Sequence, residues 1–199
     1  MRLLAPLFPL CLFAVLTLVR PSEAAQAVAP FTTGEGPATV ETCTPKALGA
    51  HPHPALLAAC LYVLFSADSR IWEMHDQPNY LLSRYATVAF NDLLEKNYQW
   101  LRQTGEGLRA FEIFFSDERF DEFAVSGSTF DLSKGLAIVK TLNDGKPSSY
   151  RVLFVIENGL WRVDDIHLFH HRCHMVKPIK AVLANLADWY RQSSNCRKR

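Results

Sequence analysis

Neither sign of charge dominates this chain. The 199 residues carry 21 Lys and Arg against 20 Asp and Glu, a net charge of +1, and the only charge run is the tail Arg197-Lys198-Arg199. A nucleic-acid partner, which asks for a basic patch or stripe, is therefore not indicated. Internal repeats are lacking, as are a Gly-rich phosphate loop, a Ser nucleophile elbow and zinc-ribbon cysteine spacing, so nucleotide, hydrolase and zinc-finger chemistry each lose their usual signature. The acidic stretch Ser116-Asp-Glu-Arg-Phe-Asp-Glu has no EF-hand spacing and reads as a solvated turn. What is present is ordinary globular composition, 49% hydrophobic and 21% charged, enough for one domain with a sizeable core.

The N-terminus reads as a secretory signal over residues 1–27. Arg2 supplies the positive region, Leu3 to Val19 the apolar core, and Ala25-Gln26-Ala27 a small-residue cleavage site, so that no membrane span is expected after cleavage. Cleavage removes Cys11 and leaves Cys43, Cys60, Cys173 and Cys196, an even number in an exported chain and hence a disulfide set. Three pairings are open. Cys43 with Cys60 and Cys173 with Cys196 is preferred because each ties a loop or tail to the nearest element; the alternative for Cys60 is a small buried hydrophobe.

Residues 28–54, rich in Ala, Pro, Thr and Gly, read as a flexible linker or arm, and 55–192 as a single domain before a basic tail at 193–199. Ala55 to Ala67 is apolar nearly all round, which predicts a helix buried on most sides. Ser69 to Asn79 reads as a polar connection. A single helix is expected from Tyr80 to about Leu101, burying Leu82, Tyr85, Ala89, Leu93 and Trp100, with Gly105 as its stop. Phe111 to Phe115 reads as a short irregular or helical plug in the core. Strands are expected near Glu122 to Ser126, Lys134 to Leu142 and Ser149 to Glu157, antiparallel because no helix intervenes. A last helix should bury Ile179, Val182, Leu183, Leu186 and Trp189 on one face.

The strongest local signal is Asn158-Gly159 between two β-rich runs, since both central residues of a type I′ turn need positive φ. An uninterrupted register sets Ile156 against Trp161, Phe154 against Val163, Val152 against Asp165 and Tyr150 against His167. Residues i and i+2 share a face, so Asp165 and His167 are expected together among apolar neighbours while Asp164 points away.

Helices first, then antiparallel strands ending in Asn158-Gly-Leu-Trp-Arg-Val-Asp-Asp-Ile166, resemble the nuclear-transport-factor-two-like cone fold, with the nearest likeness to the exported bacterial proteins of the DUF3828 group. The resemblance spans roughly Ala55 to Trp189, and its specific part is Tyr150 to Ile166. It implies an α+β domain in which N-terminal helices pack in the concave face of a bent antiparallel sheet, a half-barrel, here with one extra C-terminal helix. It also implies a cavity at the wide end of the cone. Trp161, Val163, Phe154, Val152 and Tyr85 are its expected lining.

Two kinds of chemistry are then open. Asp165, with its pKa raised by an apolar setting, could act as a base with His167 and Tyr150 orienting a substrate, as in isomerases and lyases of the ketosteroid-isomerase type. Against this, Asp165 could simply hydrogen-bond a backbone donor of a helix packed over the sheet. His170 and His174, beside His171 and Cys173, form a weak candidate metal pair. No cofactor is indicated. The leading expectation is a secreted or periplasmic, non-enzymatic protein that binds a small apolar ligand or an envelope protein, with isomerase or lyase chemistry and an envelope interaction or immunity role as alternatives.

Overall fold

The computed structural model describes residues 38–67, 80–109, 112–115, 122–170, 175–189 and 191. The expected signal sequence, the Ser69 to Asn79 connection, the acidic turn at 116–121, His171, Cys173, His174, Cys196 and the basic tail lie outside those residues. The fold is α+β, in the order α1 (Pro45–Leu48), α2 (Pro54–Ala67), α3 (Tyr80–Tyr85), α4 (Val88–Thr104), α5 (Glu112–Phe115), β1 (Phe123–Asp131), β2 (Leu136–Asn143), β3 (Lys146–Glu157), β4 (Leu160–His170), β5 (Met175–Pro178) and α6 (Ile179–Ala184). The five strands form one open antiparallel sheet in sequence order.

Two tight turns set this meander. Asp144-Gly145 joins β2 to β3 with φ of 49° and 74°, and Asn158-Gly159 joins β3 to β4 with φ of 54° and 75°, the positive pair that a twist-matched two-residue hairpin requires. Alternation then gives one inner face, with Ala137 and Val139 on β2, Tyr150, Val152 and Phe154 on β3, and Val163, Ile166 and Leu168 on β4, all buried. α2 covers it. Its residues from Ala55 to Leu64 are buried apart from Leu56, as a helix apolar all round must be, and Ser128 Oγ donates to Ala55 O at 2.6 Å.

The 28–54 arm is not wholly loose. Within it Thr44 caps α1, Leu48 is buried, and Cys43 stands at disulfide-bonding distance from Cys60 of α2, with Cα atoms 5.1 Å apart. Tyr85 donates to Gly49 O at 2.7 Å, a second tie between this segment and the body. The link closes a sequence separation of 17 residues. Replacing Cys43 by Ser is expected to cost about 2–3 kcal/mol in denaturant unfolding under oxidising conditions, and no loss would show that the bond adds nothing.

The expected Tyr80 to Leu101 helix is two helices. Thr87 breaks it: its side chain accepts from Phe90 N at 3.2 Å as the N-cap of α4, and its own N–H donates to Val163 O at 2.9 Å, so Ala86 and Thr87 run alongside β4 as a short parallel bridge. The break rotates the buried stripe. Phe90, Leu94, Asn97, Tyr98 and Leu101 go inward, whereas Ala89 is exposed and Trp100 is 48% exposed. Gly105, left-handed, ends α4 as expected. Asn97, buried, then clamps the chain beyond, donating to Leu108 O at 2.7 Å and accepting from Leu108 N at 2.8 Å.

α5 is the plug expected of the phenylalanine-rich stretch, with Ile113, Phe114 and Phe115 buried and ring contacts from Phe114 and Phe115 to Tyr62, and from Phe115 to Tyr150 and Phe123. β5 is an element that the sequence reading does not include; β4 runs on to His170 and β5 pairs with it. The last helix has the expected face, Ile179, Val182, Leu183 and Trp189 being buried, but is interrupted at Asn185, between α6 and a further helical turn at 186–189.

Candidate functional site

β4 carries two adjacent aspartates, residues poorly suited to a strand interior. The chain accommodates them with a bulge. Phe154 pairs with Val163 and Leu153 with Asp165, so Asp164 is an extra residue with no partner of its own. From there on every pairing shifts by one: Val152 faces Ile166 and Arg151 faces His167. The expected pairs Val152 with Asp165 and Tyr150 with His167 are therefore corrected. Asp165 and His167 do share a face, but it is the outer one, with Leu153 and Arg151, while Tyr150 is on the inner face.

The second correction concerns Asp164, which does not point away into solvent by itself. Asp164 Oδ1 accepts from Lys180 Nζ at 2.8 Å and from Thr87 Oγ1 at 3.1 Å, whereas Asp165 Oδ1 accepts from Ile166 N at 2.8 Å and Lys180 N at 3.1 Å. Both carboxylates thus converge on Lys180 in the first turn of α6, and Thr87 brings in the start of α4. The bulge is the hub where the sheet, α4 and α6 meet.

The electrostatics follow from burial. Asp165 is 7% exposed, and desolvation pushes its carboxyl above the ordinary range, against the backbone N–H groups of Lys180 and Ile166 and the nearby His167 and Lys180, which pull it down. Desolvation lowers the His167 imidazole, Asp165 partly restoring it and Arg151 lowering it further. His167 Nδ1 is buried and has no hydrogen-bond partner among the described residues.

The other expected site residues fall elsewhere. Val152, Phe154 and Val163 are core side chains; Trp161 is half-buried with its ring 5.1 Å from that of Phe130; Tyr85 is buried with its hydroxyl on Gly49 O. Tyr150 accepts from Asn143 Nδ2 at 2.8 Å and stacks on Tyr62, ring centroids 4.9 Å apart. His170 ends β4 opposite Met175, and its companion His174 lies outside the described residues, within which no three His, Cys, Asp or Glu side chains are grouped to hold a metal.

Lys180 and Thr87 escape sequence reasoning because they reach the aspartates only through the bulge. The Asp-Asp pair in a strand was the available signal, since a regular strand would have left one of two charges facing the core.

The chain matches no protein-family model, no curated protein and no solved structure. The Cys43–Cys60 link is compatible with an extracellular location, and no helix among the described residues is long and apolar enough to cross a membrane.

Proposed function

We propose that the protein is a secreted or periplasmic, non-enzymatic binding protein of the nuclear-transport-factor-two-like cone fold, akin to the DUF3828 group, and that it engages an envelope protein on the outer face of its sheet. The open antiparallel sheet with α2 on one face supports the fold reading. One observation carries the function: the inner face, where the cone fold would keep a cavity for a small apolar ligand, is occupied by the rings of Tyr62, Phe114, Phe115 and Tyr150.

The outer face offers a surface instead. Leu136, Ile138 and Leu153 are half-buried there, Leu142 and Val155 are 42% and 40% exposed, and the exposed cations Lys140 and Arg151 stand among them. Apolar side chains flanked by charge are the composition of a partner-binding patch. Val155→Asp is expected to weaken partner retention from the native envelope by roughly tenfold, while Val88→Asp, at a side chain 64% exposed beside the β3–β4 turn, leaves it unchanged. Equal retention by both variants would overturn the reading.

A second reading, isomerase or lyase chemistry with Asp165 as base, draws on the upward push that burial gives its carboxyl and on His167 beside it. It has less support, because Asp165 Oδ1 is engaged by two backbone N–H groups and Tyr150 is on the opposite face. NMR titration tests it: coupled titration of Asp165 and His167 displaced by a bound ligand would favour catalysis, and a titration indifferent to any ligand would remove it.

A further inference from the structure

The outer face of the sheet carries two cations that its own acids leave uncompensated. Thr129, Ile138, Arg151 and His167 follow one another across β1 to β4 as one row of that face, and Lys140 stands two residues along β2 from Ile138, opposite Ser149. Lys140 and Arg151 are both exposed, and neither has an ion-pair partner among the described residues. The neighbouring acids are engaged. Asp131 Oδ2 accepts from Lys134 Nζ at 2.8 Å, Asp165 Oδ1 from the N–H groups of Ile166 and Lys180, and Glu157, farther along β3, from Val88 N at 3.3 Å. Around the two cations the surface is aliphatic, with Ile138 and Leu153 half-buried and Leu142 42% exposed.

Uncompensated cations set in aliphatic surface ask for carboxylates set among aliphatic side chains, and charge complementarity selects between occupants. A second copy of this face would present the same cations and no free carboxylate among the described residues. A nucleic acid or an anionic membrane calls for a broad basic patch, whereas here two cations are bordered by Leu and Ile. Spacing narrows the partner further. Arg151 lies opposite Ile138, so Lys140 is its diagonal neighbour, with Cβ atoms about 7 Å apart. Alternate side chains on one side of an extended strand are also about 7 Å apart. We infer that the outer face recognises an extended segment of a partner protein in which two carboxylates, two residues apart, meet Lys140 and Arg151 while flanking apolar side chains rest against Leu142 and Leu153. The Arg151 guanidinium takes its carboxylate through two parallel N–H groups, and Lys140 takes the other as a point charge. The inference rests on the reading of this face as the partner surface and adds the chemistry of what it holds.

The probes are acetyl-Leu-Thr-Glu-Thr-Glu-Thr-Leu-amide and its counterpart with both Glu replaced by Gln. Amide NMR titration of the full mature protein should show the Glu peptide bound about fivefold more tightly in low salt, with the largest shifts at Ile138, Lys140 and Arg151, and the difference lost at about 0.5 M NaCl. Lys140→Gln/Arg151→Gln should abolish the preference, whereas Lys96→Gln, at an exposed cation of α4, should leave it unchanged. Equal affinity for the two peptides in low salt, binding of neither, or shifts centred outside β2 and β3 would overturn this inference alone; the Val155→Asp test decides the surface by itself. Sedimentation with phosphatidylserine vesicles that depends on Lys140 and Arg151, without a preference between the peptides, would assign the cations to a membrane and overturn it too. Retention unaffected by Val155→Asp would remove the surface reading and this inference with it.

Discussion

Gly135→Ala is expected to destabilise the fold by about 3–5 kcal/mol. Gly135 sits at φ 58° in the turn before β2, and its carbonyl accepts from Phe154 N at 2.6 Å. A Cβ there would stand 2.2 Å from the Phe154 carbonyl oxygen, a backbone atom in mid-sheet that cannot swing aside. By contrast Gly159, also at positive φ, has nothing within 4 Å of its would-be Cβ, so alanine there meets only the backbone penalty of about 1 kcal/mol. Urea unfolding of the two variants separates a steric cause from a conformational one. Equal losses would show that the close approach of β3 is not what fixes Gly135.

Asp165→Leu should cost about 3–4 kcal/mol, because it leaves the N–H groups of Lys180 and Ile166 without their common acceptor beneath α6. Asp165→Asn retains an oxygen acceptor without the buried charge and should be neutral or stabilising at pH 7. The pH profile carries the same information. A carboxyl raised on folding contributes stability that is full below its unfolded value of 3.8 and is lost as pH rises through its folded value; Asp165→Asn should abolish that limb. His167, lowered on folding, acts in the opposite sense: its contribution is full above 6.5 and is lost as pH falls through its folded value, and His167→Gln should flatten that region. A wild-type and Asp165→Asn profile of the same shape would show that Asp165 titrates alike in both states.

Much of the scaffold was legible because it depends on local chemistry. Asn158-Gly159 set a turn, the all-round apolar run from Ala55 set a buried helix, and Gly105 set a stop. The run from Lys134 to Leu142 also read as a strand, and β2 runs over Leu136–Asn143, although which of its two alternating sets is buried was not legible. The site was less legible, because a register is cumulative: one inserted residue at Asp164 moved Asp165 and His167 from the expected inner face to the outer one. The same holds for Thr87, whose capping role competes with helix continuation only because Val163 O is there to receive its N–H. Pairing partners distant in sequence decide such cases, and a single chain read in order does not display them.

The short bridge of Ala86 to Val163 also bears on how the protein avoids its own copies. β5 covers β4 only from His167 to His170, which would leave the stretch around the bulge as a bare ribbon of backbone donors and acceptors. Ala86 and Thr87 close it. On the far side of the sheet β1 is interrupted where its pairing slips between Val125 and Gly127, which bends that rim out of register for a docking strand. Both rims are thus poor templates for strand addition, so copies at high concentration are discouraged from zipping edge to edge into fibrils.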